Sequence, residues 1–143
     1  MGIAQSLEIS ASGLTAERLR MDVISNNLAN VNTTRTPEGG PYRRRHVVFA
    51  EEGSDSFADF LHGASVGGGV QVVAIEPDNT DFKRVRDPGN PDAGPDGYVL
   101  MPNIEPVMEM VDLITATRAY DAGVAAVGAA KQMQQKALEI GKA

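Results

Sequence analysis

His46 and His62 are the only histidines in the 143 residues, and neither has carboxylates at the spacing of a metal-ligand set or of a Ser-His triad. Cysteine is absent, which removes disulfides, zinc–thiolate sites and thiol catalysis. Asp92-x-x-x-Asp96-Gly97 carries part of a calcium-loop pattern, but the third position is Gly94 and the twelfth is Asn103, where a bidentate Glu is required. Gly67-Gly68-Gly69 lacks the Lys-Ser/Thr that completes a phosphate cradle. Hydrolysis by Asp78, Asp81 or Asp87 would need a nucleophile and base that no motif supplies. The run Arg43-Arg44-Arg45 could hold phosphate, yet the formal charge of −6 and pI of about 4.8 oppose the basic footprint of a nucleic-acid binder. Cross-subunit ion pairs with the acidic stretch 51–59 suit these arginines better. The expectation is a protein that is not an enzyme and has no cofactor, metal, nucleic acid or small-molecule substrate.

The remaining polar concentration is SNNLANVNTT, residues 25–34, with Asn26, Asn27, Asn30 and Asn32 close together and no acid beside them. Asparagine is weak inside helices and strong at their ends, so one of these amides suits a C-terminal cap. Four exceed that need. Asn27 flanks Leu28 and Asn30 precedes Val31, at the edge of an apolar seam, where amides can fix the register of a helix packing surface. That seam alternates four and three residues through Ile3, Leu7, Ser10, Leu14, Glu17, Met21, Ile24, Leu28 and Val31. It predicts a long helix of heptad type. Ile9, Ala16, Leu19 and Val23 form a second flank that one partner helix would leave wet. Gly13 costs about 1 kcal/mol relative to Ala inside a helix, a cost accepted where another backbone approaches.

Pro37, Gly39, Gly40 and Pro41 end the helical pattern. Short β-favouring runs follow at Arg45–Phe49, Val70–Ile75, Phe82–Val85 and Tyr98–Met101. Helical spacing resumes after Pro106, with a small-residue seam through Ala116, Ala119, Gly123, Ala126 and Ala130. A bulkier seam of Met110, Leu113, Tyr120, Val124 and Val127 runs beside it. The fold class is therefore mainly α with a small β-containing insert, in which long N- and C-terminal helices pair as a coiled coil. Its units are a helix over 1–34, a β- and loop-rich insert over 35–103, and a helix over 104–143 that pairs with 1–34. Closing the loop between the helices costs roughly 4 kcal/mol. Neither helix covers both flanks of the other, so assembly with further copies is expected to bury what is left. No run reaches the ~20 apolar residues of a membrane span, and MGIAQSLEIS has neither the basic nor the apolar region of a cleavable export signal.

SNNLANVNTT resembles the signature of the bacterial flagellar axial proteins of the rod and hook. Three further stretches are similar to the proximal-rod branch over nearly the whole chain: TRTPEGGPYRRRHVVF, DPGNPDAGPDGYVLMPN and VMEMVDLITATRAYDAGVAAVGAAKQM. The run Gly39-Gly40-Pro41-Tyr42-Arg43-Arg44 is the part specific to that branch. The resemblance marks Asn26, Asn27, Asn30, Arg118 and Tyr120 as signature positions, whereas Gly123 and Gly128 stand where the family often carries Asn. It implies a structural subunit of the basal-body rod, exported through the flagellum's own type III channel without a cleaved signal. The implied partners are other rod proteins, the base-ring complex, distal rod subunits, the export apparatus and copies of itself. A helical-ended type III secretion adaptor or translocator would share the heptads but would bind cargo instead of joining a filament.

Overall fold

The computed structural model describes residues 2–52 and 68–141. His62, Gly67, the carboxylates between 53 and 59 and the side chain of Ile3 lie outside the described residues. In chain order the elements are α1 (Ile3–Ala29), β1 (Arg45–Glu51), β2 (Val70–Pro77), β3 (Lys83–Arg86), β4 (Tyr98–Met101) and α2 (Pro106–Ile140). The four β-favouring runs of the sequence each coincide with a strand. They pair as two antiparallel two-stranded sheets, β1 with β2 and β3 with β4. The architecture is mainly helical with a small β insert.

The start of α2 and the end of α1 follow from their sequences. Pro106 occupies the first turn of α2, where its missing N–H costs no hydrogen bond, and Glu109 is the acid in that turn. At the other end, the Asn30 backbone N–H closes on the Asn26 and Asn27 carbonyls to finish α1. Asn30 does so at φ −101°, outside the left-handed conformation that asparagine tolerates.

The helices pack antiparallel. A Cβ on Gly123 would lie 2.8 Å from Leu14 Cδ2, the Thr117 hydroxyl is 3.6 Å from Met21 Sδ, and Asn27 Nδ2 is 3.0 Å from Glu109 Oε2. As numbers rise along α1 the partners fall along α2, and this register runs out of α1 before α2 is finished. Residues 131–141, at the end of α2, are all exposed. The face of α2 that turns inward steps through Leu113, Ala116, Tyr120, Gly123, Val127 and Ala130, each partly or fully buried. This stripe takes alternate members from both seams of the sequence, because bulky and small residues interleave where ridges meet grooves.

The second flank of α1 is not left wet by the monomer. Val23 and Ile24 share a cleft with Val47 and Phe49 of β1, and Ala16 is 3% exposed. The first hairpin docks there. At its other end Gly69 has φ +123°, and a Cβ on it would come within 2.5 Å of Ser12 Oγ, which accepts the Val70 N–H at 3.0 Å. Only glycine allows this approach of strand to helix. Gly13, by contrast, faces open space, so no close backbone explains it. Gly13→Ala is therefore expected to raise stability by about 0.5–1 kcal/mol through helix propensity alone, read as a higher urea midpoint at constant m value.

Candidate assembly site

The polar centre of the molecule gathers segments that are remote in sequence. Asn27, 1% exposed, is held by α1 where the first hairpin and α2 converge. Its Nδ2 donates to the Arg45 carbonyl at 2.8 Å and to Glu109 Oε2 at 3.0 Å. Its Oδ1 accepts the Arg45 N–H at 3.0 Å and the Tyr42 hydroxyl at 3.4 Å. One amide side chain thus imitates a strand neighbour for β1 and also reaches the opposite helix.

Glu109, also 1% exposed, accepts Arg44 Nε on its other carboxylate oxygen. The Arg44 guanidinium further meets Asp112 Oδ2 at 3.3 Å and Asp78 Oδ2 at 3.5 Å. Burial works to lower the Arg44 pKa, but the bond and charge of Glu109, with the charges of Asp78 and Asp112, outweigh it and leave the value raised. Arg44 is therefore a permanent cation enclosed by three acids. Its backbone is fixed as well, since its N–H donates to Asn103 Oδ1 at 2.8 Å while Asn103 Nδ2 reaches Thr80 Oγ1 at 2.8 Å. Arg43 completes the insert: it donates to the carbonyls of Asp78 and Thr80 and stacks 4.3 Å above the Phe82 ring.

For Arg44 this corrects the expected cross-subunit pairing. Arg44 finds its carboxylates within its own chain, because the long helices bring Glu109 and Asp112, three residues apart on one face, against the start of β1. The asparagines divide in the same way. Asn27 is the packing amide, whereas Asn26 Nδ2 donates to the Asp22 carbonyl and Asn30 Nδ2 to the Asn26 carbonyl, both local bonds at an exposed helix end. Gly39 and Gly40, at φ +93° and +75°, form with Pro41 the turn that returns the chain to Tyr42, closed by the Thr36 N–H on the Gly40 carbonyl at 2.9 Å.

Of the proposed seam residues, Leu7, Leu14, Met21, Leu28 and Val31 are half-buried and Ile24 is buried. On α2, Ala116 is fully buried and Leu113, Tyr120 and Val127 are partly so. Arg118, Ala119 and Val124 are exposed, so within the single chain they do not join the inner stripe. Sequence reasoning weighs Asp78 only as a hydrolytic acid and Asn103 only as a calcium-loop position, and does not single out Glu109 or Asp112, although Glu109 stands alone among Val107, Met108, Met110 and Val111, where a solvated acid has no reason to be.

Asp78 gives the cluster an acid dependence. The Thr80 backbone N–H, at 2.9 Å from Asp78 Oδ1, is the main cause holding its pKa below the ordinary 3.8, helped by the Thr80 hydroxyl and Arg44 against the opposing effect of burial. A carboxyl depressed in the folded state stabilises above its unfolded pKa, and that contribution is lost as pH falls through the folded value. Urea titrations between about pH 5 and pH 2 should show Asp78→Asn losing less stability on acidification than the unaltered chain.

The outer face of α2 has a different character. Val107, Val111 and Ile114 are 62%, 51% and 54% exposed at helical spacing, and Met133, Leu138 and Ile140 are exposed again near the end of the helix. Among the described residues no helix is long and apolar enough to cross a membrane, and no group of acids and histidines could hold a metal ion.

Residues 7–35 match the family described as flagella basal body rod protein, and residues 96–140 match the C-terminal family of the flagellar basal body rod FlgEFG proteins. Three relatives are each described as flagellar basal-body rod protein FlgC. That of Bacillus subtilis is 49% identical over 96% of this chain and 97% of its own length. That of Borreliella burgdorferi is 44% identical over 98% of both chains, and that of Salmonella typhimurium 35% identical over 99% of this chain and 100% of the relative. The chain belongs to the FlgC family. As a FlgC-family protein it is a structural subunit of the flagellar basal-body rod and not an enzyme. Both matched segments cover the helices, and the FlgC relatives extend the likeness across the insert that bridges them.

Proposed function

We propose that this chain builds the proximal part of the rod by burying the outer face of α2 against neighbouring subunits. The observation that carries the reading is the set of exposed apolar residues on α2, densest from Val107 to Ile114, which α1 and the insert leave uncovered although they cover the inner face. Apolar area removed from water contributes roughly 25 cal/mol per Å², so a stripe along a helix of 35 residues is a large reserve for association. Packed copies would complete the heptad-spaced surfaces as a coiled-coil tube, with residues 1–34 and 104–143 forming its wall and 35–103 turned toward neighbours.

In this reading Leu7, Leu14, Met21, Ile24 and Leu28 hold α1 on α2, as do Leu113, Ala116, Tyr120 and Val127 from the other side. Arg118, Ala119 and Val124 face other subunits. The partners are copies of this chain, other rod proteins, the base-ring complex, distal rod subunits and the export apparatus, reached by export without a cleaved signal. Isolation of basal bodies tests this: an acid placed within the outer stripe should remove the subunit from the particles. Recovery of such a variant at the unaltered level would overturn the reading.

A further inference from the structure

Two lines of exposed residues run along the outside of the helix pair at heptad spacing. On α2 the line is Val107, Val111, Ile114, Arg118, Asp121 and Ala125, and on α1 it is Ala11, Thr15, Arg18, Asp22, Ser25 and Ala29, every one of them exposed. Alternating steps of four and three residues keep each line on one side of its helix, so that a second helix can lie along it. The lines do not meet within the chain, where Leu14 and Met21 of α1 lie instead against Gly123 and Thr117 of α2. The first hairpin, docked on Val23 and Ile24, leaves the α1 line open as well.

Each line carries a cation followed by an anion. Arg118 stands one turn before Asp121 on α2, and Arg18 one turn before Asp22 on α1, both within reach of pairing along the helix. Neither pair forms, and among the described residues none of these four side chains enters an ion pair, whereas Arg44 meets three carboxylates. Laid antiparallel, the two lines match. Asp22 of a second copy meets Arg118, Arg18 meets Asp121, and the same register sets Ser25 against Ile114 and Ala29 against Val111, a small residue opposite each bulky one. Glu8, which continues the α1 line, then meets Gln132, flanked on α2 by Lys131 and Lys136 and by no acid of that turn. Laid parallel, the lines would set Arg18 on Arg118 and Asp22 on Asp121, so charge rejects that direction. Within the chain Met21 is level with Thr117 and Leu14 with Gly123, so the contact displaces the neighbour along the axis by only about two residues, roughly 3 Å. A copy placed beside the first, with little rise, satisfies all four charges.

We infer that the outer line of α2 docks antiparallel on the exposed line of α1 of a second copy, in the register set by Arg118 on Asp22 and Asp121 on Arg18. The inference rests on the assembly reading above and names the surface that receives α2. Two different surfaces of one chain meet, so the contact is heterologous and repeats from copy to copy as a ring or helix instead of closing as a symmetric dimer. Val107, Val111 and Ile114 supply adhesion, and the four charges select direction and register.

The test is charge reversal in the full-length chain expressed in flagellated cells, read as recovery in isolated basal bodies, with circular dichroism of each purified variant as the folding control. Arg118→Glu should lower recovery at least fivefold, and Asp22→Arg should do the same. One chain carrying both changes has opposite charges across the contact on every copy, and should recover to within twofold of the unaltered level. Loss in each single variant without rescue by the combination would overturn the second-copy contact and assign Arg118 to a different protein of the rod. Unchanged recovery of either single variant would overturn it directly. The chain has no cysteine of its own, so Ser25→Cys with Ile114→Cys, oxidised in isolated particles, gives an independent readout. Both positions lie on outward sides of their helices, so the link joins two copies: crosslinked dimers and longer products are expected, and monomer alone would overturn the register. If acids at Val111 and Ile114 exclude the subunit while these outcomes fail, the outer face of α2 packs on a different surface and only the present inference falls.

Discussion

Asn27→Asp should be among the most destabilising single substitutions available to this chain, costing about 4 kcal/mol at neutral pH. The two side chains have the same shape, so no cavity or clash accompanies the change. What changes is the group 3.0 Å from Glu109 Oε2, which is a donor in asparagine and becomes an anionic acceptor in aspartate. The Arg45 carbonyl, now served by Nδ2 at 2.8 Å, loses its donor in the same step. Two carboxylates at hydrogen-bond distance in a buried site cannot both ionise cheaply. The introduced carboxyl or Glu109 must therefore take up a proton, and the folded state of the variant binds more protons than its unfolded state near neutrality. By linkage, the deficit should shrink as pH is lowered from about 7 toward 5. Urea unfolding at several pH values checks both parts. A loss below 1 kcal/mol, or a deficit that grows on acidification over that range, would show that Asn27 and Glu109 are not joined as described. Asn26→Asp, on the exposed side of the same turn, is the control and should stay within about 0.5 kcal/mol.

The second large effect concerns assembly and should leave the fold intact. Val111→Asp combined with Ile114→Asp places two charges on a surface that the free chain already exposes by 51% and 54%. Neither residue supports the inner stripe of α2, so unfolding free energy should change by no more than about 0.5 kcal/mol for each. In an assembled rod the same two positions would be desolvated, and an unpaired buried charge costs several kcal/mol per subunit interface. The expected result is a soluble, natively helical protein that is absent from purified basal bodies, with motility lost. A variant that unfolds, or one that enters basal bodies normally, would each contradict the account. Ala116→Asp, at a fully buried position of the inner stripe, should fail in the other way by unfolding the free chain.

Much of this molecule is legible in its sequence because its elements announce themselves locally. The heptad spacing from Ile3 to Val31 gives α1, Pro106 and the small-residue periodicity give α2, and each β-favouring run gives a strand, since all of these signals repeat within a few residues. The inward face of α2 was harder. Two seams lay side by side, and only the partner helix decides that Ala116, Gly123 and Ala130 turn inward while Ala119 and Val124 stay outside. The polar cluster was the least legible part. Asn27, Arg44 and Glu109 come from three segments with no common period, and burial of a carboxylate depends on a cation that arrives from elsewhere in the chain. Arg44 was read as a surface cation for the same reason. Gly13 and Gly69 make the complementary point: Gly13 reads as a close-approach glycine yet faces open space, whereas Gly69, weighed in the sequence only as part of an incomplete phosphate cradle, is the one with a neighbour near enough to need it.

On this reading the free chain folds with its helices paired on one side and leaves the outer side of α2 for its neighbours. Methionine oxidation reports this directly, because Met108, Met110 and Met133 are 57%, 46% and 58% exposed whereas Met21 lies against α2. Footprinting with peroxide on the purified subunit and on intact basal bodies, read by mass spectrometry, should show those three oxidised rapidly in the free chain and at least tenfold more slowly in the particle, with Met21 slow in both. Equal oxidation of Met108, Met110 and Met133 in the two states would contradict the claim.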